Sequence, residues 1–212
     1  MVKDIEITDP GYTNSQEDPA AQHAWQPHQE AFKKKYNLVD ANAKVLRTPA
    51  EKFNFADPQM DAYELANDLA SHMKHFGGVG LAAPQLGIPI KAFVMNGDPL
   101  YVVFNPVITG SHPDEVLMDE GCLSFPGLYL KIKRPSTVRV RFQDYNGDTH
   151  VKKFGGMTAR VFQHEYEHMI GEVFVDHVSD FARNRAIDKQ RKLLNKVRKQ
   201  LKQANKQIKT RK

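Results

Sequence analysis

The chain has a single cysteine, Cys122, among its 212 residues, so no internal disulfide can form. That excludes a cystine-stapled scaffold, fits a reducing compartment, and makes the one thiol a residue that needs an explanation. Long apolar runs are missing too: none approaches the roughly 20 residues of a membrane span. The opening Met1-Val2-Lys3-Asp4-Ile5-Glu6 lacks an apolar signal core and carries acids that an organelle transit peptide avoids. These absences lead us to expect a cytoplasmic protein with no membrane partner. No repeat or low-complexity tract appears. Hydrophobic residues make up 41%, enough for a real core, and the length suits one domain with extensions or two small ones.

Acids are almost absent from the C-terminal end. From Arg183 to Lys212 there are 13 Lys/Arg and one acid, Asp188, a net +12; the whole chain carries +5, which leaves −7 on the remainder. A mildly acidic body with a strongly basic tail speaks about a partner rather than a fold. The tail also has an apolar seam, Ile187, Leu194, Leu201 and Ile208 at seven-residue spacing with Val197 and Ala204 between, on a helix otherwise covered by Lys and Arg. Facing like charges disfavours self-pairing, so an anionic surface is the expected partner, with the part up to about Leu194 packing on the body.

Residues 1–44 are polar and irregular, with a short helix expected between Asp18 and Trp25, and read as an extension laid over the body. Asp57-Pro58 opens a helix whose apolar residues Met60, Tyr63, Leu65, Ala66, Leu69, Met73 and Phe76 share a face, and Gly77-Gly78 ends it. Short β-type runs follow at Lys91–Met95, Tyr101–Phe104, Glu115–Met118, Leu128–Lys133, Thr137–Phe142 and His150–Phe154, the last two joined by an Asn146-Gly147 hairpin turn. Gly155-Gly156 and Gly171 bracket another helix, and a final helix runs from about Asp180. Helix, antiparallel strands, helix, helix is an α+β order.

Three stretches carry chemistry. His164-Glu165-Tyr166-Glu167-His168 sets two imidazoles one helical turn apart, where they can grip one divalent metal with Glu165 beside it as general base. A surface helix with two His and two Glu is the bland alternative. Gly78-Val79-Gly80-Leu81-Ala82-Ala83-Pro84-Gln85 fails as a dinucleotide fingerprint, because it follows a helix and not a strand. It is either a glycine turn or a backbone brought close to a ligand, with Gln85 as an amide donor. Glu120-Gly121-Cys122-Leu123-Ser124 holds the lone thiol. Beside a His pair, Cys122 completes a three-ligand site with an open position, as catalytic metals require. A Cys–His nucleophile pair is the rival, and it leaves the second His and Glu165 idle.

These blocks, in this order and followed by Gly171, resemble the peptide deformylase family, with its GxGxAAxQ, EGCxS and HExxH motifs; the likeness runs from about Val45 to about Ser179. The resemblance implies antiparallel sheets packed around the HExxH helix, and removal of the formyl group from the formyl-methionine that starts new polypeptides. It implies Cys122, His164 and His168 as metal ligands, Glu165 as the catalytic glutamate, Gln85 and the Leu123 N–H as oxyanion donors, and Gly80 as a backbone contact to substrate. The implied metal is Fe(II), with Zn, Ni or Co accepted. It further implies a source in a bacterium or a phage-infected cell, a catalytic domain over 45–179, and a basic helix over 180–212 that docks on the ribosome near rRNA at the tunnel exit. Two departures stand out. Glu167 replaces the usual Asp, which bears on a supporting contact. Tyr129 falls where many bacterial members have an Arg that helps hold Glu120, as in a plant-organelle subgroup, so no arginine anchor is expected there. Finally, Met157 and Val161 share the face of His164 and, with Val79, either wall a pocket for the methionine side chain or are ordinary core residues.

A zinc peptidase shares HExxH, but its third ligand is ordinarily a carboxylate or His. A nucleic-acid-binding protein would account for the tail and leave the three blocks unexplained.

Overall fold

A computed structural model of the protein describes residues 34–210. The helix expected at residues 18–25 lies outside the described residues. Helix α1 spans Ala62–Phe76, starting later than the Asp57-Pro58 signal because Asp61, and not Asp57, accepts from the Glu64 N–H at 2.8 Å. Gly77, at φ +71°, ends it in the left-handed conformation that glycine adopts freely. The glycine-rich stretch is not a plain turn: it forms a short strand β1 (Gly80–Ala82) followed by one 3-10 turn over Ala83–Leu86.

Strands β2 (Ala92–Met95), β3 (Tyr101–Ser111), β6 (Thr137–Gln143) and β7 (Thr149–Gly155) join β1 in an antiparallel sheet of order β1-β2-β3-β6-β7. Strand β3 outruns its expected end at Phe104. Pro106 cannot donate to the ladder, and the chain carries it through a register shift between Phe104 and Val107. The turn between β6 and β7 holds Gly147 at φ +87°, and the Asp144 carboxylate accepts from the N–H groups of Asn146 and Asp148. Strands β4 (Glu115–Gly121) and β5 (Tyr129–Pro135) pair only with each other.

Side chains alternate across the sheet, and both faces are covered. Ala92 and Val94 of β2 pack with α1, whereas Phe93 and Met95 pack with helix α2 (Gly156–Ile170). That is why β2 is apolar at every position. Phe162 of α2 is fully buried, 5.2 Å from the Phe93 ring and 5.6 Å from that of Phe154. The opposite side of α2 faces the β4–β5 hairpin and a third apolar cluster around Leu46, Leu130, Ile132 and Phe174. The motif helix is therefore held between sheet and hairpin. Within residues 34–44, Val39 N–H donates to the Gln85 carbonyl at 2.9 Å and Tyr36 N–H to His72 Nε2 at 3.0 Å, which binds this segment to the body.

Helix α3 runs from Asp180 to Thr210. Ala186 packs on the third cluster, and Gln190 Nε2 donates to the Pro126 carbonyl at 2.7 Å. Beyond that point Leu193, Leu194, Val197 and Leu201 are exposed. Packing on the body thus ends at Gln190, short of the expected Leu194, and the seam residues Ile187 and Leu194 are both exposed.

Phe162→Ala should cost about 3–5 kcal/mol, the range for a deleted buried aromatic, read as a lowered midpoint in urea unfolding. A loss under about 1 kcal/mol would mean that α2 is not seated on the sheet by this face.

Candidate active site

Three elements converge on one buried point. Helix α2 brings His164 and His168 together, ring centroids 5.5 Å apart, and the end of β4 delivers Cys122 opposite them. Cys122 Sγ lies 3.5 Å from His168 Nε2, and one donor atom from each of the three residues falls within 4.8 Å of the others. His164 Nδ1 bonds Glu120 Oε2 at 3.0 Å, which reserves the other ring nitrogen for a further partner.

Gln85 arrives from the 3-10 turn. Its Oε1 accepts from the Ala82 N–H at 2.9 Å, which aims Nε2 at Ser124 Oγ (3.2 Å) and Cys122 Sγ (3.3 Å). Gly80 faces Glu165: a Cβ there would stand 2.8 Å from the carboxyl carbon, so only glycine lets that carboxylate lie against β1. Glu165 is buried, and one of its oxygens, Oε2, has no hydrogen-bond partner among the described residues. Burial raises its pKa to about 7.

A cavity of about 390 Å³ opens here. Val79, Gly80, Gln85, Cys122, Leu123, Met157, Val161, His164 and Glu165 all line it; His168 sits deeper. Val79 and Met157 are 55% and 58% exposed, so they are rim residues of this cavity and not core residues. Tyr129 lies at the same rim, its ring over Gly121.

Tyr129 offers Glu120 no guanidinium, which puts an arginine anchor in question. The structure supplies two. Arg134 on β5 donates to Glu120 through Nε (2.6 Å) and Nη2 (2.9 Å), and Arg160 on α2 donates through Nη1 at 2.7 Å. Burial by itself raises the Glu120 carboxyl, but His164, Arg134 and Arg160 together hold it well below the usual carboxylate range. Arg134 also pairs with Glu167, which accepts from His177 Nε2 at 2.5 Å. Burial opposes ionisation of Glu167 as well, yet the His177 and Arg134 bonds lower its pKa. Position 167 therefore supports Arg134. Sequence signals for both arginines existed: Arg134 continues the buried alternation of Leu130 and Ile132, and Arg160 lies one turn before His164. An ionised side chain on an apolar face implies a buried partner.

The donor set fits a divalent metal. One thiol and two imidazoles, all buried, suit a borderline cation, and the buried His168 Nδ1 and Glu165 Oε2 lack hydrogen-bond partners among the described residues. Burial pushes His164 down, but bonds to Cys122 and Glu120 raise it well above its ordinary value, so a cation at its ring must displace a proton. Three N/S donors, an adjacent glutamate and a cavity open on one side define a metallohydrolase centre.

Comparison with known proteins narrows this class. The polypeptide deformylase family model matches residues 35–184. A peptide deformylase of Cytophaga hutchinsonii is 37% identical over 157 residues, covering 70% of this chain and 84% of that protein, and one of Thermotoga petrophila is 42% identical over 140 residues, covering 66% and 84%. Among solved structures, a peptide deformylase of Synechococcus elongatus in complex with actinonin superposes with a TM-score of 0.72 at 34% identity, covering 79% of this chain and 92% of that one. A probable peptide deformylase of Synechococcus phage S-SSM7 gives 0.64 at 33% identity, covering 68% and 100%. The chain belongs to the peptide deformylase family, whose members are metal-dependent hydrolases.

Glu120 and Glu167 both have lowered pKa values, so the stability they contribute is full above the unfolded value of 4.5 and is lost as pH falls through the folded values. Arg134→Met should cost about 3–5 kcal/mol at pH 7 by leaving buried Glu120 to Arg160 and His164, and buried Glu167 to His177 alone. At pH 4 the loss should be smaller, because protonation relieves them. Urea unfolding at the two pH values measures both, and an equal loss would contradict the pairing.

Proposed function

We propose that this protein removes the N-formyl group from the formyl-methionyl end of newly made polypeptides. The observation that carries the reading is the Cys122–His164–His168 cluster with Glu165 beside it, at one cavity. Cys122, His164 and His168 would hold a divalent cation, which would supply Lewis acidity for activating water and the formyl group. The rest falls to the protein's own groups. Glu165, raised to about 7 by burial, takes the proton of the attacking water and returns it to the departing methionine nitrogen. Gln85 Nε2 and the Leu123 N–H donate to the oxygen as it gains charge; losing one such donor typically costs about 3–4 kcal/mol. Gly80 contacts the substrate backbone, and Val79, Met157 and Val161 wall the methionine side chain.

Fe(II) is the metal we assign in vivo, with Zn(II), Ni(II) or Co(II) also suited to two imidazoles and a thiolate. We assign residues 45–179 to catalysis, residues 1–44 to an extension over the body, and the cytoplasm as the compartment. No helix among the described residues is long and apolar enough to cross a membrane. A zinc peptidase is disfavoured because the third candidate ligand here is the sulfur of Cys122 and not a carboxylate or His. Helix α3 we assign to the ribosome, its charge meeting rRNA near the tunnel exit: it is covered by Lys and Arg, and residues 191–203 are exposed.

Purified anaerobically, the protein should hold one metal and deformylate a formyl-methionyl peptide. Cys122→Ala, His164→Ala and His168→Ala should each lose the metal. Glu165→Gln should keep it and lose nearly all turnover; an active Glu165→Gln would remove the general base from the account. In the parent, kcat/KM should fall tenfold per unit on the acid side, with the limb at or below pH 7, since a nearby cation lowers the Glu165 pKa further.

Truncation after Lys192 keeps Gln190 and its bond to Pro126. It should leave short-peptide turnover near parental and weaken co-sedimentation with ribosomes, and added salt should weaken the full-length interaction. Equal co-sedimentation at low salt, or collapse of short-peptide turnover, would contradict the assignment.

A further inference from the structure

The β4–β5 hairpin stands apart from the main sheet: β4 pairs only with β5. Its seat on α2 therefore depends on side chains, and β4 leads directly into Cys122. Arg160, 4% exposed, reaches both strands from α2. Its guanidinium donates to Glu120 Oε1 on β4 at 2.7 Å, to the Ile132 carbonyl on β5 at 3.0 Å, and to the Val116 carbonyl on β4. One turn further along α2 is His164, itself bonded to the other oxygen of Glu120. A single planar fork thus ties the element that carries Cys122 to the element that carries both histidines.

We propose that Arg160 is a positioning residue that fixes the Cys122 thiol relative to His164 and His168. This rests on the reading of those three residues as metal ligands. The competing role is charge alone, a cation balancing the buried Glu120. The two separate cleanly. Lysine supplies the charge as one compact ammonium but not the rigid fork that meets a carboxylate and two carbonyls at once.

Arg160→Lys and Arg160→Met are loaded with Co(II), titrated with a competing chelator, and compared with the parent by metal affinity and by the thiolate-to-cobalt absorption band. Circular dichroism of the apo proteins checks the fold. Arg160→Lys should bind cobalt about 10- to 100-fold more weakly, in the range of altered outer-shell contacts. Its thiolate band should be shifted or weakened, and Arg160→Met should lose at least as much. With formyl peptide, kcat should fall while KM stays near parental. Parental affinity and spectrum in either folded variant overturns the proposal, as does an Arg160→Lys that lacks the parental fold, since the role would then be general. A parent that binds no cobalt overturns the metal reading itself and this proposal with it.

Discussion

A buried carboxylate with four N–H donors underlies the architecture. Glu120 accepts from Arg134 twice, from Arg160 and from His164. Removing one carboxylate from water costs several kcal/mol unless its charge is matched and its lone pairs are filled. Here both conditions are met: two arginines face two glutamates, Glu120 and Glu167, so the cluster is close to neutral. The four members come from three elements: Glu120 from β4, Arg134 from β5, Arg160 and Glu167 from α2. The pairing that satisfies the charges also docks the hairpin on the helix and orients the imidazole of His164.

Glu165, the general base we propose, owes its environment to a different contact. Glu165 points toward β1, where Gly80 removes the side chain that would collide with it. Its neighbour Gln85 is aimed by a bond to the backbone of that same strand. One short strand and the turn after it therefore set both a buried carboxylate and an amide donor, and the Val39 N–H donates to the carbonyl of Gln85 from outside. Burial without a full set of partners keeps the Glu165 carboxyl near neutrality. A fully bonded carboxylate such as Glu120 has no such tendency to take up a proton.

Much of this was legible in the chain. The α+β order, the antiparallel strands and the bracketing of α2 by glycines follow from periodicity and turn residues, and these act locally. The His pair declares itself because helical spacing alone brings i and i+4 together. Cys122 and Gln85 are 37 residues apart, and only their motif blocks linked them before the fold placed Sγ and Nε2 within 3.3 Å. What stayed hidden was the second layer. Arg134 and Arg160 lie in no motif, and their partners are 14 and 40 residues distant from them along the chain. The start of α1 was misplaced because both Asp57 and Asp61 are competent caps, and only the folded backbone selects Asp61.

The central claim is that one thiolate and two imidazoles hold a metal at this point. X-ray absorption on the zinc-loaded protein tests it most directly. The account predicts one sulfur at about 2.3 Å and two imidazole nitrogens at about 2.0–2.1 Å. A shell of nitrogen and oxygen alone, with no sulfur, would contradict it.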